Sequence, residues 1–155
     1  MTTRAASALR ATALAGAVLV AVSGCALASP VQTDYAYQPA DGPSLDTGDV
    51  DLRNLVVIAP EKGGDGVLIG QAVNNAPQAV RVSFSVGGDS PANRTVPASS
   101  GAALSTPGST VALTAVPGGP GDVVDLTVTT PGSGQNVVTV PVLAPTGYYA
   151  QFATG

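Results

Sequence analysis

Few side chains in this chain can do chemistry, and their positions restrict which chemistry is open to them. There is one cysteine, Cys25, one methionine, Met1, one lysine, Lys62, and no histidine. Without imidazole there is no Ser-His-Asp triad and no Cys-His pair. Lys62 sits in a Gly-rich stretch, Pro60-Glu61-Lys62-Gly63-Gly64, without the S-x-x-K spacing of a Ser–Lys nucleophile, and reads as a solvated turn lysine. The acids form two loose groups, Asp46, Asp49 and Asp51, and Asp122 with Asp125. Calcium would need six to eight converging oxygens, and neither group has a loop motif that supplies them. They read as solubilising surface charges. The Gly-rich loops lack Walker spacing and a following helix. The chain therefore predicts no catalytic residues, no metal site and no cofactor.

Cys25 is the exception, because of what precedes it. Arg4 and Arg10 make a positive start, and Ala11 to Val22 is an apolar run of twelve residues. A membrane span needs about 20 residues, so this run fits a secretory signal instead. Val22-Ser23-Gly24-Cys25 then resembles a bacterial lipobox: an aliphatic residue, two small ones, and Cys. The resemblance implies diacylglycerol transfer to the Cys25 thiol and cleavage before it. An ordinary cut near Ala26-Leu27-Ala28 is the competing reading, and it would leave no cysteine. The only Cys falls where the lipobox requires it, which favours the first reading. Two or more acyl chains would anchor such a protein stably.

Loss of residues 1–24 would remove two Arg and no acid, leaving four basic against ten acidic side chains, a net charge of −6. That excludes a nucleic-acid partner, which needs clustered Lys and Arg. It also excludes electrostatic docking on anionic lipid. The expected partners are the membrane, through lipid on Cys25, and an envelope protein or cell-wall component. The expected location is the outer face of the cell membrane.

The elements that would carry any site are short and Val-rich, separated by Gly and Pro. Residues 25–47 read as a lipidated N-terminus and tether, with Tyr35 and Tyr37 either exposed or docked on the domain. From residue 48 to 143 the pattern is strands. Those expected are Asp49–Ala59, Gly66–Asn74, Ala79–Val86, a short piece at Thr95–Pro97, Ser109–Val116, Asp122–Thr130 and Gln135–Leu143. Val80, Val82, Phe84 and Val86 alternate cleanly. The last two strands read as a hairpin around Pro131-Gly132-Ser133-Gly134. No helical period appears outside the signal. About seven strands with turns between them predict a small antiparallel β-sandwich, cupredoxin- or immunoglobulin-like. Residues 144–155 form an aromatic tail with Tyr148, Tyr149 and Phe152, which either packs on the sandwich or serves as an exposed partner-binding anchor.

Gly48 through Ile58, Val73-Asn74-Asn75, Leu104-Ser105-Thr106-Pro107-Gly108, Gly121-Asp122 and Val140-Pro141-Val142 together resemble the LpqE-type lipoproteins of actinobacteria. Those are similar to the PCu(A)C periplasmic copper chaperones. The resemblance implies a cupredoxin-like sandwich over residues 48–143. It also implies a His-x-Met ligand pair on the strand after the Pro-Gly turn. Here Thr110 and Ala112 stand at the corresponding positions. Cu(I) needs soft ligands, which the chain beyond residue 25 lacks. Two readings follow: a non-catalytic binding or assembly module on a lipid tether, or metal handling by a degenerate copper-chaperone-like domain.

Overall fold

In a computed structural model, residues 40–153 are described. Cys25, its lipobox, Tyr35 and Tyr37 lie outside the described residues. Among those described there are nine strands: β1 (Leu45–Asp46), β2 (Val50–Ile58), β3 (Gly66–Asn74), β4 (Val80–Val86), β5 (Ala92–Val96), β6 (Ser100–Ala103), β7 (Val111–Leu113), β8 (Val123–Thr130) and β9 (Gly134–Leu143). A 3-10 helix at Gly147–Phe152 follows. Seven strands lie on one path, β5-β4-β8-β9-β2-β3-β6, with β1 paired to β2 and β7 to β3. The all-β expectation holds. Among the described residues no helix is long and apolar enough to cross a membrane.

Two halves share this path. In β4 the alternation of Val80, Val82, Phe84 and Val86 sends all four side chains to the core, while Arg81 points outward, exposed, and Ser83 and Ser85 lie half-buried. β8 repeats the pattern with Val124, Leu126 and Val128, and Phe84 pairs across to Val128. The predicted hairpin joins β8 to β9, closing at Thr130 opposite Gly134. Pro141 marks where β9 changes company. Up to that residue β9 pairs antiparallel with β8, and Val142 and Leu143 then pair parallel with Val57 and Ile58 of β2. Proline donates no ladder hydrogen bond, so it suits the point where pairing passes from one strand to another. This parallel step is a correction to a purely antiparallel sandwich.

The second half, β2 and β3, is buried on both faces along part of its length, while Asp51, Arg53 and Gln71 leave its other end polar. Leu55 to Ala59 are all buried, as are Val67, Leu68 and Ile69. Leu52, Leu55, Val57 and Leu68 face the main core with Phe84 and Leu126. Val56, Ile58, Val67 and Ile69 face the other way, against Phe152. A bulge lies between Arg53 and Val56, where the register with β3 shifts. Asn54 adopts the left-handed conformation there, at φ 52°, which Asn tolerates better than most residues. A Cβ at Gly70 would stand 2.9 Å from the Arg53 carbonyl oxygen, so only glycine fits opposite the bulge.

The structure also revises where the domain begins. Leu45 and Asp46, within the stretch expected as tether, pair with Leu52 and Asp51 of β2. Upstream of them Leu55 N–H donates to Pro43 O at 3.0 Å and Gly42 N–H to Asn54 Oδ1 at 2.9 Å. The bulge frees the Leu55 N–H from the ladder, and residues 42–43 bond to it and to the Asn54 side chain. A Cβ at Gly42 would lie 2.1 Å from the Leu55 oxygen, so the close approach depends on glycine.

Candidate functional site

The strand that follows Pro107-Gly108 is the place to look for a ligand site. β7 is shorter than expected, three residues rather than eight, because residues 114–119 turn away. It lies on β3, with Leu113 opposite Gly66, Ala112 opposite Val67 and Val111 opposite Leu68. Val111 and Leu113 point into the core. Ala112 faces outward, exposed, and Thr110 is half-buried at the strand's start. The turn before it is held by Ser109 N–H and Oγ, which donate to Thr106 O at 2.8 and 2.9 Å. The Arg94 guanidinium on β5 donates to Ser109 O across the gap between β5 and β7. Ser105 Oγ both accepts from Gly70 N–H at 3.0 Å and donates to Gly70 O at 2.9 Å.

The donors near Thr110 and Ala112 are thus hydroxyls and carbonyls, with those of Ser105 and Ser109 already used in hydrogen bonds and a guanidinium beside them. Cu(I) prefers thiolate, thioether and imidazole. This donor set does not fit it. Among the described residues no three acidic, His or Cys side chains group as metal ligands.

The acids separate in space. Asp46 and Asp51 are direct cross-strand partners. The Gly48 N–H, 2.8 Å from Asp46 Oδ1, is the main influence holding the Asp46 carboxyl below the usual range; its contact with Asp51 and the Arg53 charge act the same way. Arg53 pairs with Asp51 at 3.2 Å. Asp49 instead lies against Gly132, where a Cβ would meet its Oδ2 at 1.7 Å. Asp122 Oδ2 accepts from Gly119 N–H and Asp125 Oδ1 from Thr139 Oγ1. Each serves its own turn or strand pair. Lys62 is exposed in its loop.

The aromatic tail, for which sequence left two arrangements open, packs on the sheet. Phe152 is 4% exposed, seated on Val56, Ile58, Val67 and Ile69 with Leu143 and Tyr149 at its margin. Tyr149 is half-buried and its hydroxyl donates to Asp41 Oδ2. Desolvation, then the Asp41 hydrogen bond, push its pKa up to about 12. Tyr148 alone of the three remains outward, 69% exposed.

Sequence reasoning missed Asn74. It is 1% exposed, at the end of β3. Its Nδ2 donates toward Gln78 O, Pro97 O and Val96 O at 2.8, 2.9 and 3.1 Å, and its Oδ1 accepts from Ala76 N–H at 2.8 Å. It ties the 74–78 turn to the crossing from β5 to β6. Asn75-Ala76-Pro77 after β3 is a turn string, and an Asn that caps a turn is a known device beside such strings. Nothing local could show that the same amide reaches residues more than twenty positions away.

No protein-family model and no curated protein matches the chain. Solved structures do. The copper-bound PCuAC domain from PmoF2 is 18% identical, with a TM-score of 0.50, over 66% of this chain and 99% of that one. The apo PCuAC domain from PmoF1 is 21% identical, TM-score 0.52, over 66% of this chain and 100% of that one. The apo PmoF2 PCuAC domain is 19% identical, TM-score 0.53, over 68% of this chain and 98% of that one. The chain therefore carries a domain with the fold of PCuAC copper domains, on which the strand after the Pro-Gly turn offers Thr110 and Ala112.

Proposed function

We propose that this chain is an exported lipoprotein, anchored through Cys25 at the outer face of the cell membrane, that displays a copper-chaperone-like β-sandwich as a non-catalytic binding module. The observation that carries the reading is the mismatch at β7: a PCuAC fold whose strand after Pro107-Gly108 bears Thr110 and Ala112 in a chain without histidine and without methionine beyond Met1. A fold kept without soft ligands is a scaffold for surface recognition. Its partner is an envelope protein or cell-wall component. Crosslinking in cells followed by recovery from membranes tests this, with Cys25→Ala as the control for location. Reproducible capture with the wild-type chain, lost with Cys25→Ala, is the expected result; no reproducible partner removes the reading. Mass spectrometry of the native N-terminus should show an acylated Cys25.

The likeness to a copper-bound domain supports a second reading, copper handling with oxygen ligands or ligands lent by a partner. Titration of Cu(I) against a competing chelator separates the two. The first reading expects no competition; sub-micromolar affinity would replace it with the second.

A further inference from the structure

The C-terminal 3-10 helix sits beside the place where the preceding chain joins the domain. The Tyr149 hydroxyl is bonded to Asp41, and residues 42–43 are fixed on the β2 bulge through Asn54 and Leu55. Phe152 holds the helix down on the sheet. Tyr148 is therefore presented on a supported surface. Its ring stands edge-on to Tyr149 at 5.2 Å and to Phe152 at 6.3 Å, yet it is 69% exposed. An aromatic ring held in place and left in water gains by reaching an apolar environment with a wet margin, and tyrosine favours the membrane–water interface for that reason. The helix and the chain leading into it from Leu143 carry no charged side chain, and the one charged group shown against the helix, Asp41, is bonded to Tyr149, which suits uncharged headgroups.

We propose that Tyr148, on its 3-10 helix, is a lipid-contacting element that seats the domain on the uncharged interfacial layer of the bilayer holding the Cys25 lipid. This rests on the lipoprotein reading of Cys25. Fifteen residues lead from Cys25 to Ala40, and covalent geometry limits their span to about 50 Å. A domain confined that closely meets the surface at an effective concentration of millimolar order, so a contact too weak to recruit a free protein orients a tethered one.

The chain has no tryptophan, so Tyr148→Trp installs a sole indole reporter at an exposed position. The chain from Cys25 onward, with its single thiol, would be coupled to maleimide-headgroup lipid in phosphatidylcholine vesicles with brominated acyl chains. Val137→Trp is the control. Val137 is 58% exposed on β9, six residues and about 20 Å along the strand from Leu143, which borders the tail. The expected result is a blue shift with loss of more than about half the emission for Tyr148→Trp, and neither for Val137→Trp. No quenching of either reporter, or equal quenching of both, overturns the proposal. So does a concentration-dependent blue shift of uncoupled Tyr148→Trp protein without vesicles, which would assign the face to a second copy of the chain. Coupling is chemical, so the docking result does not depend on native acylation. Mass spectrometry of the native N-terminus judges the anchor separately.

Discussion

The β4–β8 half and the β2–β3 half of the sandwich use the same residue types in different ways. β4 and β8 bury one face and leave the other to Ser, Thr, Arg81 and Asp125, with Val123 exposed at the start of β8. β2 and β3 bury both over Leu55–Ala59 and Val67–Ile69, with the core on one side and Phe152 on the other. The sequence shows this as clean alternation in one half and a continuous apolar run, Leu55 to Ala59, in the other. A run that cannot alternate needs two covers. The second cover here is the C-terminal tail, and the tail in turn touches the residues where the domain begins. The difference teaches that the apolar period of a strand reports how many neighbours it has, and that a strand segment with no polar face must be covered by some other part of the chain.

The comparison breaks most forcefully at its shared centre. Phe84 is fully buried and, among the described residues, the only aromatic in the main core. Phe84→Ala should cost about 3–5 kcal/mol, since its neighbours are Val and Leu that cannot refill the space. Denaturant titration would read it as a loss of cooperative stability in both halves together. If only the β4–β8 half lost hydrogen-exchange protection, the two halves would not share one core.

Asn74→Ala comes next, at about 2–3 kcal/mol. The change strips the amide from three carbonyls, of which Val96 O is buried, and a stranded polar group costs more than its hydrogen bond contributed. The loss should appear as faster exchange around β5 and β6. A change below about 0.5 kcal/mol would mean that water replaces the amide there.

How much of this was legible depended on how local each signal was. Alternation in β4 and β8, and the turn at residues 131–134, are encoded within a few residues, and those elements stand where the pattern put them. β6 and β1 were not seen, because Ser100-Gly-Ala-Ala and Leu45-Asp46 carry no strand preference of their own; β3 and β2 impose extension by pairing with them. The 3-10 helix is a single short stretch with one buried residue, too brief for a helical period to register. For the candidate site, the types at Thr110 and Ala112 were plain in the sequence. That the Ser109 carbonyl and the Ser105 hydroxyl are already engaged depends on contacts with β5 and β3, up to 35 residues away, which no local pattern reports.

Phe152→Ala tests whether the tail really completes the second half. The ring is buried, but it lies on a short 3-10 helix outside the strands, which can move to fill part of the gap. The expected cost is therefore about 2 kcal/mol, below that of a central phenylalanine. Exchange at residues 147–152 and at the outer face of β2 and β3 should rise, while β4 and β8 keep their protection. Equal effects in both halves would make the tail part of the main core.

The smallest effect isolates the link between the tail and the residues where the domain begins. Tyr149→Phe removes only the hydroxyl that donates to Asp41, at a cost of about 0.5–1 kcal/mol for a hydrogen bond near solvent. Its pH dependence has a definite sign. Burial and the neighbouring carboxylate favour the neutral phenol, raising the folded pKa to about 12 from the usual 10.0. The stabilisation is complete below the unfolded pKa and fades as pH rises through the folded one. Wild type should thus exceed Tyr149→Phe by a constant margin up to about pH 10, and the margin should shrink as pH rises above 10, where the unfolded tyrosine ionises first. Because Tyr149→Phe retains every other titrating group, the difference between the two proteins cancels their contributions. A margin that instead widened over that interval would require the phenolate to be the favoured form in the folded protein, which is incompatible with a hydroxyl donating to Asp41.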